Sequence, residues 1–202
     1  ARGLGEIIGA SQSSHGVSDK IPGAQPLGLH FEGPFLNAKK RGAHPVSQLR
    51  KPSAEIAERI LNAAGDTARI FTLAPELEGA LDVLELARRR GLRVGIGHSN
   101  ATFEEAERAI TPGATYAVHV YNSMRAFHHR DAGILGAVLT DDRVTAELIC
   151  DGVHVEPPAI RLLVKAKGLE RVVLASDSLS GAGMPDGNYP LGNFTIHMAG
   201  GV

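Results

Sequence analysis

Five residues able to do chemistry occupy equivalent places in this sequence. "LGLHFE" ends on Glu32, "LRVGIGH" on His98, "TYAVH" on His119 and "VVLASD" on Asp177, while His154 directly follows "AELICDGV". A carboxylate at the end of an apolar run is costly unless a cation or hydrogen bonds hold it. One carboxylate and two imidazoles, from Glu32, His98 and His119, form a donor set for a divalent transition metal, zinc first, with a further position open to water. Asp177 could then take a proton from that water and hand it to a leaving group. His154, with Asp151 in "CDGVH", could hold an anion or a substrate hydroxyl. Any one strand-end histidine is most often a hydrogen-bonded structural group. The recurrence at matching strand ends is what points to a site.

Other polar residues carry less. His30 shares a strand face with Glu32, because side chains alternate with a period of two, and it reads as a group that orients Glu32 or packs beside it. "RAFHHRDAGILG" gathers Arg125, His128, His129 and Arg130 ahead of Asp131, which suits either an anionic substrate such as a phosphate or a solvated charge run. His15 and His197 lack supporting partners and read as surface residues. "GAGMPDG" lacks the lysine and hydroxyl of a phosphate-binding P-loop.

The elements that must position these residues follow a repeating rhythm. Apolar runs of strand length fall at residues 27–32, 69–74, 93–98, 115–121, 144–150 and 171–177. Helical patterns separate most of them: one opened by Ser53 as N-cap, then 77–90, 102–110 and 157–167, the last with Pro157 and Pro158 in its first turn. Apolar strands alternating with helices imply a parallel sheet covered on both faces, and such sheets build their sites at the C-terminal strand ends. A full (β/α)8 barrel needs about 250 residues, and six strands are found in these 202. The expectation is a partial (β/α)8 barrel in the α/β class. Residues 1–26, Gly- and Ser-rich with one short helical stretch, precede a core at 27–180. The tail at 181–202 reads as a β-hairpin turning at Gly192 and Asn193.

Composition bounds the partners. Lys and Arg number 21 against 22 Asp and Glu, so no basic excess favours nucleic acid or an anionic membrane. No apolar run is long enough to span a bilayer and no signal-peptide pattern stands at Ala1. The one cysteine, Cys150, excludes an intrachain disulfide and favours a reducing compartment, so a cytoplasmic location is expected.

Six ordered motifs, "GLHFEGPFLNAKKRGAHP", "TLAPE", "GHSNAT", "HVYNSM", "DGVH" and the "SD" of Asp177, resemble the N-acetylglucosamine-6-phosphate deacetylase family of the amidohydrolase superfamily. The resemblance runs from about Leu27 to Asp177 and, more weakly, through "GMPDGNYPLG". It implies a distorted (β/α)8 barrel with a small β-sandwich built from both chain ends, largely missing here, and makes the six strands the third to the eighth. It implies that Glu32, His98 and His119 hold the metal, that Asp177 is the catalytic acid/base, and that His44 polarises the acetamide carbonyl. It places Ala43, Asn122, Ser123, Arg130 and His154 along the substrate, with Arg130 and His154 near its phosphate. The implied reaction is metal-dependent hydrolysis of N-acetylglucosamine 6-phosphate to glucosamine 6-phosphate and acetate, in a homodimer.

Residues 1–26 depart from the family pattern, and the family's usual "TDA" stands here as Ser176-Asp177-Ser178. One or two metal ions fit equally. The same site could prefer N-acetylgalactosamine 6-phosphate or another amide, and a non-catalytic sugar-phosphate binding protein is the reading outside enzymes. A Schiff-base aldolase would want a lysine at a strand end, and none of the six ends in one.

Overall fold

The computed structural model describes residues 26–191 and 194–200. Six strands form one sheet in sequence order: β1 (Leu29–Glu32), β2 (Ala68–Leu73), β3 (Arg93–Ile96), β4 (Ala114–Ala117), β5 (Thr145–Ile149) and β6 (Val172–Ala175). Every neighbouring pair is parallel. Each strand falls within or overlaps one of the six expected apolar runs, and the sheet is a six-stranded arc of a (β/α)8 barrel. The expectation for residues 1–26 lies, Pro26 apart, outside the described residues.

Among the described residues five helices cover the outer face: α1 (Ala54–Ala64), α2 (Ala80–Arg89), α3 (Phe103–Ile110), α4 (Gly133–Thr140) and α5 (Pro157–Lys167). Ser53 caps α1, its side chain accepting from the Ile56 amide. Thr102 and Glu105 close a reciprocal capping box on α3. Leu61, Val83, Ala106 and Leu163 turn from these helices into a core shared with Phe71 and Ile96 on the strands. The second helix starts at Ala80 and not at residue 77, because Gly79 takes φ +82°, a left-handed conformation that a helix cannot propagate through.

The sequence reading did not anticipate α4. "GILGAVLT" is apolar on nearly every side and holds two glycines, so it shows neither an amphipathic stripe nor high propensity. It forms because residues 133–138 are buried on all faces. Its C-terminal end is bolted by Lys167 of α5, only 2% exposed, whose Nζ donates to the Val138 carbonyl at 2.9 Å and the Asp141 carbonyl at 2.6 Å. A cation there satisfies orphan carbonyls and suits the negative end of the helix dipole.

Beyond β6, β7 (Gly187–Leu191) pairs antiparallel with β8 (Phe194–Met198). Leu191 lies opposite Phe194; Gly192 and Asn193, where the turn was expected, lie outside the described residues. Among the described residues no helix is long and apolar enough to cross a membrane.

Replacing Lys167 with Met keeps the aliphatic stem and strands one buried and one half-buried carbonyl. Urea unfolding should show a loss of about 1–3 kcal/mol, and an unchanged midpoint would mean the ammonium is not what holds α4.

Candidate metal centre

The parallel arc sends every strand's C-terminal end to the same side, and three of those ends converge. Glu32 is the last residue of β1, while His98 and His119 each stand two residues beyond β3 and β4. Glu32 Oε1 lies 2.9 Å from His98 Nε2 and 2.7 Å from His119 Nε2, and the two Nε2 atoms are 3.0 Å apart. Ligand atoms of a tetrahedral ion with bonds near 2.05 Å stand about 3.3 Å apart. The three atoms therefore lie within reach of one ion after small outward shifts.

The hydrogen bonds themselves ask for a cation. His98 Nδ1 lies 2.7 Å from the Lys40 carbonyl oxygen, which can only accept, so Nδ1 carries the proton. In a neutral imidazole Nε2 is then a bare lone pair, aimed at a carboxylate oxygen and at another imidazole nitrogen. Such a meeting of acceptors holds together only around a proton or a metal ion. The donor set of this triangle, one oxygen and two nitrogens, fits a divalent metal.

His44 stands at the same point. Its Nε2 is 3.4 Å from Glu32 Oε2, its ring meets His98 edge-on with centroids 4.9 Å apart, and Glu32, His44 and His98 also present ligand atoms within 4.8 Å of one another. His119 makes the tighter triangle, because it is within 3.0 Å of both other ligand atoms and is buried, whereas His44 is about a third exposed. His44 reaches the site from a loop held close: at Gly42, φ +55°, a Cβ would come within 3.1 Å of both His98 Cε1 and Ser123 Oγ.

The loops beyond the strands are strained in a common way. His98, His119, Tyr121, Ser123 and Asp177 all take positive φ, at +46°, +27°, +81°, +53° and +48°. Non-glycine residues adopt such angles uncommonly, at a cost of about 1–3 kcal/mol each unless their surroundings enforce them. Here they do. The His98 carbonyl accepts from the Asn37 amide, and Ser99 bonds to Ser123 and Arg125 through its backbone. Glu76 binds Asn37 Nδ2, Ser99 Oγ and the Asn100 amide at 2.6–2.8 Å. The His119 amide donates to the buried Glu147 carboxylate at 2.9 Å, and the other carboxylate oxygen accepts from Tyr116 Oη. Burial, and then this bond, push the Tyr116 phenol up, so it stays a donor.

The remaining expected residues are less tightly gathered. Asn122 Nδ2 donates to the His119 carbonyl at 3.3 Å. Asp177 stands exposed two residues beyond β6. Ala43, Arg130, Asp151 and His154 lie exposed on loops. Asp151 is already engaged, accepting from the Val153 and His154 amides and facing His154 Nδ1 at 2.6 Å; those bonds hold its carboxyl down at about 2. In the arginine loop, Arg125 is spent on a forked pair with Asp131, which leaves Arg130 as its outward guanidinium. His30 bonds Thr72 Oγ1 at 2.8 Å and makes no hydrogen bond to Glu32, His98 or His119. Glu147 escaped the sequence reading. The signal was there in "TAELIC", a carboxylate inside an apolar strand, the same anomaly that made Glu32 conspicuous.

An arc of parallel strands with a carboxylate–imidazole–imidazole cluster at its C-terminal ends defines a metal-site barrel of the amidohydrolase type. No family model matches the chain. It is 42% identical over 181 residues to the N-acetylgalactosamine-6-phosphate deacetylase of Escherichia coli O157:H7, a match covering 90% of this chain and 48% of that one. It is 40% identical over 201 residues to the human N-acetylglucosamine-6-phosphate deacetylase, covering 92% and 49%. The crystal structure of the Mycobacterium smegmatis N-acetyl-D-glucosamine-6-phosphate deacetylase superposes with a TM-score of 0.89 at 35% identity, over 100% of this chain and 50% of that one. The chain belongs to the family of N-acetylhexosamine-6-phosphate deacetylases, and it spans about half the length of the relatives it matches. The family implies a divalent metal, and the cluster at Glu32 is where these residues could hold one.

Burial would lower His119, but the Glu32 hydrogen bond and charge outweigh it and hold the imidazole above its ordinary 6.5, with the Asp177 charge adding a little. Burial would likewise raise Glu32, and bonds from His119, His44 and His98 hold it far below the carboxylate range instead. With no ion bound, the His119 contribution to stability is present below pH 6.5 and lost as pH rises through its raised value. A metal needs the bare nitrogen, so metal affinity should rise as pH climbs above 6.5 through the raised His119 value, with proton release. Calorimetry in buffers of different ionisation heats counts those protons; a flat pH profile would contradict the assignment of His119.

Proposed function

We propose that this chain carries the metal centre and acid/base of an N-acetylhexosamine-6-phosphate deacetylase, which hydrolyses the acetamide of N-acetylglucosamine 6-phosphate to the amine and acetate. The observation that carries this reading is the convergence of Glu32 Oε1, His98 Nε2 and His119 Nε2 within 3.0 Å of one another. Glu32, His98 and His119 hold the ion, zinc being first choice for two imidazoles and one carboxylate. Residues 27–180 form the unit that does the chemistry.

A divalent ion bound there supplies a more acidic water and a Lewis acid for the carbonyl oxygen. Asp177 receives the proton from the attacking water and returns it to the departing amine. His44, beside Glu32 and open on one side, donates to the acetamide oxygen as negative charge gathers on it. Arg130 and His154 take the phosphate, and Ala43, Asn122, Ser123 and Asp151 line the sugar between the two ends. Asp151 serves through His154, whose Nδ1 it faces, leaving Nε2 for a phosphate oxygen. Supporting the substrate class, the M. smegmatis relative has been solved with N-acetyl-D-glucosamine-6-phosphate, as an aspartate-to-alanine variant.

The 42% identity to an N-acetylgalactosamine-6-phosphate deacetylase favours a second reading, in which the 4-epimer is preferred. Acetate release from both epimers, before and after chelation and with zinc restored, tests the two together. Metal-dependent release from one fixes the substrate; release from neither overturns the deacetylase.

Asp177→Asn should fold and keep its metal, since asparagine tolerates φ +48°, while kcat drops by about 10²-fold or more. Near-normal kcat would remove Asp177 from the proton relay. Arg130→Ala should raise KM for the phosphorylated sugar far more than for its unphosphorylated counterpart, and an equal effect on both would refute the phosphate contact.

A further inference from the structure

We propose that Glu147 is a positioning residue for the metal centre: its carboxylate grips the main-chain amide of His119 and so aims that imidazole at Glu32 and His98. The inference rests on the reading of His119 as a ligand. Glu147 is 7% exposed in the middle of β5, between Ala146 and Leu148. Among the described residues its side-chain partners are neutral donors, the His119 amide and the Tyr116 hydroxyl, with no lysine or arginine in contact. A buried carboxylate without a cation is expensive, and a strand in this place could be closed by an apolar residue like its neighbours. Something beyond packing keeps it.

The two histidines show what that is. The His98 ring is oriented by its own Nδ1, which donates to the Lys40 carbonyl. His119 has no such device: its Nδ1 is buried without a partner among the described residues. Apart from the Nε2 contacts with Glu32 and His98, which are the meeting to be explained, the His119 ring is aimed by its backbone, and that backbone sits at φ +27°, a conformation that needs enforcing. Glu147 enforces it from two sides. Its side chain takes the His119 amide at 2.9 Å, and its carbonyl takes the Val120 amide at 2.8 Å. Tyr116 fixes the carboxylate from the other end, and the buried site strengthens both bonds.

The test compares Glu147→Leu and Glu147→Gln in the purified protein, reading zinc affinity by competition with a chromogenic chelator and the His119 amide resonance by NMR. Leucine leaves the amide unpaired, and zinc affinity should fall about 10–100-fold while the protein still unfolds cooperatively. Glutamine keeps one oxygen for the His119 amide and can donate its NH2 to the Tyr116 oxygen, so affinity should fall by less than the leucine variant's loss. The His119 amide should move upfield as the charge-assisted bond is lost. A leucine variant that folds and binds zinc as tightly as the wild type overturns the inference. If the leucine variant does not fold, the glutamine variant decides: an unmoved amide or unchanged affinity overturns it. A protein whose zinc affinity depends on Glu147 yet which releases no acetate would sink the deacetylase and leave this inference standing. A wild type that binds no zinc would sink both.

Discussion

Three electron-rich atoms, a carboxylate oxygen and two imidazole nitrogens, meet at 2.7–3.0 Å at the mouth of the barrel arc. The Lys40 carbonyl removes the simplest escape, because it fixes the His98 proton on the far nitrogen. What remains is a point of concentrated negative potential in a half-buried setting, where electrostatic terms are stronger than in water. A proton or a cation is needed there on physical grounds, before any relative is consulted. The chain separations involved, 66 and 87 residues, show how much fold is needed to create the point.

That fold is a division of labour. The helices and strand interiors supply an apolar frame, and the loops beyond the strand ends carry the conformational cost. Two carboxylates serve the loops without approaching the triangle. Glu76 ties three loop groups together around Ser99, and Glu147 meets the chain at His119. Isolated bridging between Ser99 and Met124 joins the loops after β3 and β4, which ties together the segments that carry the two histidines. Rigid support of this kind is what a site accurate to a fraction of an ångström requires.

Much of this was legible in the sequence. Strands were found because a barrel strand is a short apolar run with a polar terminus, and two helices because Ser53 and the paired prolines mark their starts. The helix Gly133–Thr140 was not, since burial on all sides erases the periodicity that betrays a helix. Glu32, His98 and His119 could be picked out because each stands at or near the end of its run. His44, twelve residues from Glu32 on a loop, carries no such mark, and only the family resemblance brought it in. The charge run at 125–131 could not be divided by eye. Which arginine is neutralised by Asp131 depends on a turn closed by His128 and Asp131, a three-dimensional fact.

The left-handed backbone at His98, His119, Ser123 and Asp177 also bears on how such a site can drift over evolutionary time. Histidine, asparagine, aspartate and glycine enter that region of φ with least penalty, whereas valine, isoleucine and threonine are nearly barred from it. The geometry thus filters the substitutions available before selection for activity acts at all. Innovation at these positions would run through a narrow alphabet of small polar residues, and new chemistry would arise more readily from the neighbouring loops that are free of this restriction.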